Sequence, residues 1–287
     1  IILASGILGV TTSSLKHCAE NGAGAATIKS ITIEERKGHP LPIIYSFEGG
    51  MLNAVGYSNP GYKEALEEFK DIDRIKIPVI GSIVGKNKEE FVFLIENFIN
   101  KLSFKAVEIP LSCPHTPGYG TMAGHSTPEA AYDITNAVKK KSKYPVIIKL
   151  SPNTPNIVEV AKAAEKAGAD AICAVNTLGP GMAIDVYSGK KMLGFGVGGV
   201  SGKALKPVAV RIVYDLYQNI KIPIIGTGGI YTGEDALEMI MAGASAIGVG
   251  TAVLDKGIGV FKGIAEEMKD IMKDCDYKNL TSIRGKA

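Results

Sequence analysis

Short runs of β-branched and apolar residues alternate with amphipathic stretches from one end of this chain to the other. The runs that read as strands are residues 1–4, 25–29, 78–83, 106–109, 146–150, 171–175, 222–226 and 246–250. They are near-continuous in apolar character, as strands buried on both faces are. Helical patterns lie between and after them, at 13–21, 61–70, 88–100, 128–141, 157–167, 206–218, 233–242 and 259–272. The clearest is 157–167, where Ile157, Val160, Ala161 and Ala164 fall on one face at three- and four-residue spacing. Eight strand–helix alternations predict an α/β fold, a closed parallel (β/α)8 or TIM barrel. A doubly wound open sheet is the structural alternative, and eight repeats fit closure better. No Pro/Ser-rich linker or charge block divides the chain, so residues 1–287 read as one barrel domain, a length ordinary for this architecture at roughly 250 residues.

Connections are mostly short, but the segments 30–60, 110–127 and 178–204 are long, and all three follow a strand. That places them on the face where barrels carry their chemistry. Long ordered loops usually act as lids or binding segments, with decorative insertion the plainer reading. Two glycine signals stand near the C-terminus, Gly226-Thr227-Gly228-Gly229 and Gly248-Val249-Gly250-Thr251, after the seventh and eighth strands. Glycine lets backbone N–H groups approach an anion, and a following helix start adds partial positive charge. Loops after strands seven and eight are where barrels recurrently hold phosphate. Either glycine pair alone could serve an ordinary turn; both together, one strand apart, predict a phosphate site. Gly198-Gly199-Val200-Ser201-Gly202, a flexible loop on its plainer reading, could add a donor.

Polar side chains at strand ends need a reason. Lys29 ends the second strand, Lys149 lies near the end of the fifth, and Asn176 ends the sixth. A lysine facing a barrel interior costs several kcal/mol, roughly, unless its ammonium finds a partner. No Asp or Glu accompanies Lys149 within its own strand, which favours an anionic ligand over a local carboxylate as that partner. Of the four cysteines, Cys173 reads as a core residue, and Cys18 and Cys275 have no chemical company. Cys113 follows the fourth strand in a Gly/Pro-rich loop able to cover a site, and a thiol with its pKa near neutrality can act as a general base. No cysteine spacing suggests a metal site.

Composition narrows the classes. At 46% hydrophobic and 21% charged, with net charge +3, the chain is an ordinary globular protein with too little positive charge to suggest nucleic acid. No stretch nears the roughly 18 apolar residues of a membrane span. Unpaired cysteines fit a reducing, cytoplasmic setting. Ile1 opens the chain inside an apolar run, so a missing leader is compatible with it.

Several of these motifs, in order, resemble the class 1 dihydroorotate dehydrogenases, most closely the class 1B catalytic subunit. They are Leu3-Ala4-Ser5-Gly6, Ile28-Lys29-Ser30, Gly50-Met51-Leu52-Asn53-Ala54-Val55-Gly56 and Leu111-Ser112-Cys113-Pro114. Ile148-Lys149-Leu150-Ser151-Pro152, Val175-Asn176-Thr177-Leu178, Gly199-Val200-Ser201-Gly202 and the two C-terminal glycine signals complete the series. The family's N-terminal hairpin is absent or cut off before Ile1. The resemblance implies an FMN over the strand ends, contacted by Ser5, Lys29, Ser30, Lys149, Val175 and Gly202. Gly228, Gly229, Gly250 and Thr251 fall on further flavin positions, and Ser82 on one where class 1B usually has Asn. Substrate contacts would come from Lys29, Asn53, Ala54, Val55, Gly56, Tyr57, Asn176 and Thr177. In this picture Cys113 removes a proton from C5 of dihydroorotate while a hydride leaves C6 for the flavin, and Lys149 stabilises the anionic reduced flavin. The loop from Pro110 would close over the substrate. A homodimer core and a separate iron–sulfur and FAD electron-transfer subunit are implied as partners.

Two positions depart from the family's pattern. Pro110 stands where an Asn usually touches pyrimidine and flavin, and it offers neither a side-chain donor nor an N–H. His115 stands where a second Asn is usual; it keeps some hydrogen bonds of an amide, changes shape and titrates near neutral pH. His at that position is familiar in dihydropyrimidine dehydrogenases, which makes another dihydropyrimidine the first alternative substrate. Iron–sulfur cysteine runs of the ferredoxin-like domains in those relatives do not occur here. A non-enzymatic barrel that binds a phosphorylated ligand is the second alternative. Flavin absorbance separates it from the first two readings.

Overall fold

Every one of the predicted apolar runs contributes a strand to a closed parallel barrel. In a computed structural model describing residues 1–111 and 126–287, the chain starts with β1 (Ile2–Leu3), α1 (Thr12–Glu20), β2 (Ala25–Thr27), β3 (Ile44–Phe47) and β4 (Gly50–Asn53). It goes on through α2 (Tyr62–Glu68), β5 (Val79–Ser82), α3 (Lys88–Asn97), β6 (Ala106–Pro110), α4 (Pro128–Lys141), β7 (Val146–Leu150) and α5 (Ile157–Lys166). Then come β8 (Ala171–Ala174), β9 (Leu178–Gly181), β10 (Gly198–Ser201), α6 (Lys206–Tyr217) and β11 (Ile224–Thr227). The last elements are α7 (Gly233–Met241), β12 (Ala246–Val249), α8 (Ala252–Lys256) and α9 (Val260–Asp274). Around the barrel the order is β1-β12-β11-β8-β7-β6-β5-β2, and β1 closes it by pairing in parallel with both β12 and β2.

Side chains alternate between the two faces of each strand. The outward set, such as Val107, Ile109, Val146, Ile148 and Ile172, is buried against the helices. Phe69, Phe91, Phe98, Phe104 and Phe261 fill the space between helices and barrel and are almost wholly excluded from solvent. The inward set changes character along the axis. An apolar layer of Ile80, Ile147 and Cys173, with Ile2, Ala106, Ala171 and Ile225 packed on it, plugs the barrel. Two residues further along their strands, the same face carries Ser82, Glu108, Lys149 and Thr227, all buried. Polar side chains therefore sit where the strands open towards their C-terminal mouth.

Helix starts are fixed locally. Thr11, Asn87, Thr127 and Thr232 each accept a backbone N–H from three residues on with their side-chain oxygen, and Pro128 occupies the first turn of α4. Observed strand limits fall within two residues of the sequence-derived ones. Lys29 and Asn176, read as strand ends, lie two residues beyond β2 and β8. Helix α3 ends at Asn97 and its expected remainder forms a 3₁₀ turn, Ile99–Lys101.

The two long segments 30–60 and 178–204 are not plain loops. Between them they supply a four-stranded antiparallel sheet in the order β3-β4-β10-β9. Leu52, Ala54 and Leu193 form its small buried core. The third long segment lies largely outside the described residues, and with it the expected lid, Cys113 and His115.

Candidate active site

A cavity opens at the C-terminal ends of the barrel strands and runs under the four-stranded sheet. The space at this mouth amounts to about 1420 Å³, open solvent included. One wall comes from the segments after β1 and β2. There the Ser5 hydroxyl donates to the Ile28 carbonyl (3.0 Å) and lies 3.3 Å from Ser30 Oγ, which is 2.8 Å from Ser82 Oγ. Ser5, Lys29 and Ser30 reach the cavity surface. Ser82 does not, being fully buried behind Ser30 and acting on it through the hydroxyl chain.

The roof is the sheet. Asn53, at the end of β4, pairs with Gly199 of β10, and its Nδ2 donates to the Gly199 carbonyl at 3.3 Å. Asn53, Ala54, Val55, Gly56 and Tyr57 follow one another along the cavity. The opposite wall is the segment after β8. Val175 follows a cis peptide bond with Ala174. The Asn176 N–H donates to the Leu150 carbonyl at 2.8 Å, tying this segment to β7. Asn153 Nδ2 donates to the Thr177 carbonyl at 3.1 Å, while its Oδ1 accepts from Gly179 N–H at 2.8 Å. Val175, Asn176 and Thr177 are thereby presented to the cavity.

Glycines shape the far end. Gly228, Gly229, Gly250 and Thr251 line it together, with Gly202 from the end of β10. Gly229 has φ +73°, and a Cβ there would lie 2.6 Å from that of Lys206, so the fold itself requires glycine at this position. Gly250 is different: a Cβ there would meet nothing closer than 3.6 Å. Packing does not demand glycine at 250, and its missing side chain enlarges the cavity. Polar anchors hold this end still. Asp235 Oδ2 accepts from Tyr231 N–H (2.9 Å) and Thr232 N–H (3.1 Å), while its Oδ1 accepts from Lys206 Nζ at 2.7 Å. Lys206 also reaches Glu238 at 2.8 Å, and these carboxylates raise its pKa above an ordinary lysine's. Tyr231, which sequence reasoning did not single out, lines the cavity and donates its hydroxyl to Asp255 at 2.5 Å. Burial, reinforced by that carboxylate, raises its pKa.

Lys149 and Pro110, register partners on β7 and β6, both line the cavity. The sequence left Lys149 without a carboxylate in its own strand; the structure supplies one from the next. Glu108 Oε1 lies 3.6 Å from Lys149 Nζ, and the two side chains are 4% and 7% exposed. The sequence favoured an anionic ligand over a local carboxylate as the partner of Lys149; strand register brings the carboxylate of Glu108 beside it as well as the cavity. Burial, the largest single influence, pulls the pKa of Lys149 down, but Glu108 and, after it, Cys173 together outweigh it and the net shift is upward. Cys173 is the buried core thiol expected of it, and burial, then the Glu108 charge, push it up to about 12. Cys18 is buried on α1 and Cys275 is exposed after α9. Among the described residues no group of His, Cys, Asp or Glu could hold a metal, and no helix is long and apolar enough to cross a membrane.

This geometry places the molecule in the class of (β/α)8 barrels whose site opens at the carboxyl ends of the strands. The family described as dihydroorotate dehydrogenase matches residues 1–272. Proteins named "Dihydroorotate dehydrogenase B (NAD(+)), catalytic subunit" are similar over nearly the whole length. That of Methanocaldococcus jannaschii is 44% identical over 285 residues, covering 98% of this chain and 91% of the relative. That of Pyrococcus furiosus is 45% identical over 287 residues, covering 100% and 94%. For Methanosarcina mazei the identity is 44% over 288 residues, covering 100% and 90%. The chain belongs to the dihydroorotate dehydrogenase family.

Proposed function

We propose that this protein oxidises dihydroorotate to orotate, a step of pyrimidine biosynthesis, with FMN as its cofactor. One observation carries the reading: a glycine-lined recess and a buried, charged lysine open into the same cavity. A flavin mononucleotide needs both. Its phosphate needs backbone approach without side-chain obstruction, which Gly250 provides although packing does not call for glycine there. Its ring edge accepts negative charge on reduction, which a fixed ammonium stabilises. Gly228, Gly229, Gly250 and Thr251 would hold the phosphate, with Gly202 alongside. Ser5, Lys29, Ser30, Lys149 and Val175 would hold the ring. When bound, FMN supplies the acceptor for the hydride that leaves C6.

The chain's own residues supply the rest. Lys29, Asn53–Tyr57, Asn176 and Thr177 would orient the pyrimidine, with His115 from the segment outside the described residues. Cys113, in that same segment, takes the proton from C5 as its thiolate, so that proton and hydride leave adjacent carbons. Pro110 presents an apolar ring to the cavity, so recognition of the polar ring edge falls to the amides of Asn53 and Asn176. Class 1B membership extends the proposal to a homodimeric core in the cytoplasm that passes electrons to a separate iron–sulfur and FAD subunit; the relatives' own name, "catalytic subunit", supports a partner.

Anaerobic mixing of the FMN-loaded protein with dihydroorotate is expected to bleach flavin absorbance. Dihydrouracil is expected to leave it unchanged. Bleaching by dihydrouracil alone overturns the substrate, and a protein that takes up no flavin overturns the whole reading. Cys113→Ser is expected to bind FMN normally and to slow the bleaching at neutral pH by at least about 100-fold, the size of a general-base contribution.

A further inference from the structure

We propose that Glu108 is a positioning residue for the reaction, a buried counter-charge that keeps Lys149 protonated and directed at the cavity floor. This rests on the flavin reading above. The inward face of β6 and β7 places Glu108 and Lys149 side by side beneath the mouth, both buried. At 3.6 Å the pair is an ion pair slightly longer than an ordinary hydrogen bond, and no hydrogen bond within 3.5 Å reaches Glu108 Oε1 among the described residues. The carboxylate thus balances the ammonium through one long contact, and an ammonium has three N–H donors, so others remain for a ligand in the cavity that Lys149 lines. A purely structural role accounts poorly for this arrangement. Buried ion pairs are commonly replaceable by apolar residues of equal size without loss of stability, and an incompletely bonded pair more so.

Among the described residues only Cys173 also favours the charged form of Lys149, and more weakly than Glu108 does. On the other side of Lys149, β8 presents Cys173, whose thiol stays neutral up to strongly alkaline pH. Ser82 from β5 and Thr227 from β11 do not titrate, and Lys29, which lines the same cavity, carries the wrong sign. Without Glu108, burial, the largest influence on Lys149, would be opposed only by the weaker one of Cys173, and buried lysines lose their proton several pH units earlier than exposed ones. The charge that Lys149 would offer a bound flavin would then come and go with pH.

The test uses the full chain labelled with ¹³C at lysine Cε, the Lys149 resonance being assigned from Lys149→Arg. In the wild type Lys149 is expected to remain charged from pH 6 to 10. In Glu108→Gln it is expected to titrate within that range, with proton affinity at least about tenfold below that of a free lysine. Glu108→Asp withdraws the carboxylate by one methylene and is expected to show partial deprotonation by pH 10, which keeps the test open if the Gln variant does not fold. Lys149 charged throughout in each folded variant overturns the proposal. In the FMN-loaded protein, the midpoint potential of Glu108→Gln is expected to bend against pH at the Lys149 midpoint, where the wild type shows no bend. Titration of Lys149 without that bend overturns its link to the flavin. Failure of the wild type to bind FMN would instead sink the functional reading and leave the lysine titration standing.

Discussion

Gly229 and Gly250 lie in the same recess for different reasons, and substitution separates them. At Gly229 a side chain meets both a left-handed backbone and the Cβ of Lys206 at 2.6 Å. Gly229→Ala is expected to cost about 2–4 kcal/mol of stability, combining the left-handed penalty with overpacking. At Gly250 the nearest atom to an added Cβ is 3.6 Å away, so Gly250→Ala is expected to change stability by no more than about 0.5 kcal/mol. Its methyl group would nevertheless stand in the cavity, and FMN affinity is expected to fall by about tenfold or more, a loss of at least about 1.4 kcal/mol. Urea unfolding and flavin fluorescence quenching read the two effects independently. Unchanged FMN affinity in the Gly250 variant would remove that residue from the site. Both glycines were legible in the sequence from their spacing after the last two strands. Glu108 was not, because its partner is chosen by β6–β7 register rather than by proximity in the chain. Ser82 was legible only as a family position; that Ser30 stands between it and the cavity follows from three-dimensional packing.

Among elements, the turn into α7 does most to hold the recess. Thr232 caps the helix, Asp235 completes the capping box, and the same carboxylate binds Tyr231 N–H and Lys206. Asp235→Ala removes all of these acceptors and is expected to cost about 1–2 kcal/mol, in the range of a lost helix cap. FMN binding is expected to weaken with it, since the anchored turn carries Gly228 and Gly229. A variant as stable as the wild type in urea would show that the turn holds itself. The barrel strands were readable because burial on both faces makes them continuously apolar. The accessory sheet was not, since β9 reads Leu-Gly-Pro-Gly and β10 Gly-Gly-Val-Ser. Such segments have weak intrinsic strand preference and pair only because β4 lies beside β10.

For the molecule as a whole, the titratable groups buried inside the barrel set an alkaline limit. Cys173 is raised to about 12 by burial, against 9.0 when unfolded. Above pH 9 the unfolded chain releases this proton and the folded one keeps it, so stability falls as pH rises, by up to about 1.4 kcal/mol per unit. Lys149, whose folded pKa is also raised, adds to the loss above its ordinary value of 10.5. Urea midpoints measured between pH 8 and 10.5 are expected to decline, and Cys173→Ala is expected to flatten the decline. An equal slope in both proteins would show that Cys173 is not its source.

The central claim is that one cavity at the barrel mouth receives both the nucleotide and the pyrimidine. A crystal structure of the protein with FMN and orotate tests it most directly. The phosphate is expected within hydrogen-bonding distance of the backbone at Gly228–Gly229 and Gly250–Thr251, with the flavin ring beside Lys149 and orotate against Asn53 and Asn176. Nucleotide density elsewhere, or a ring turned away from Lys149, would contradict the account.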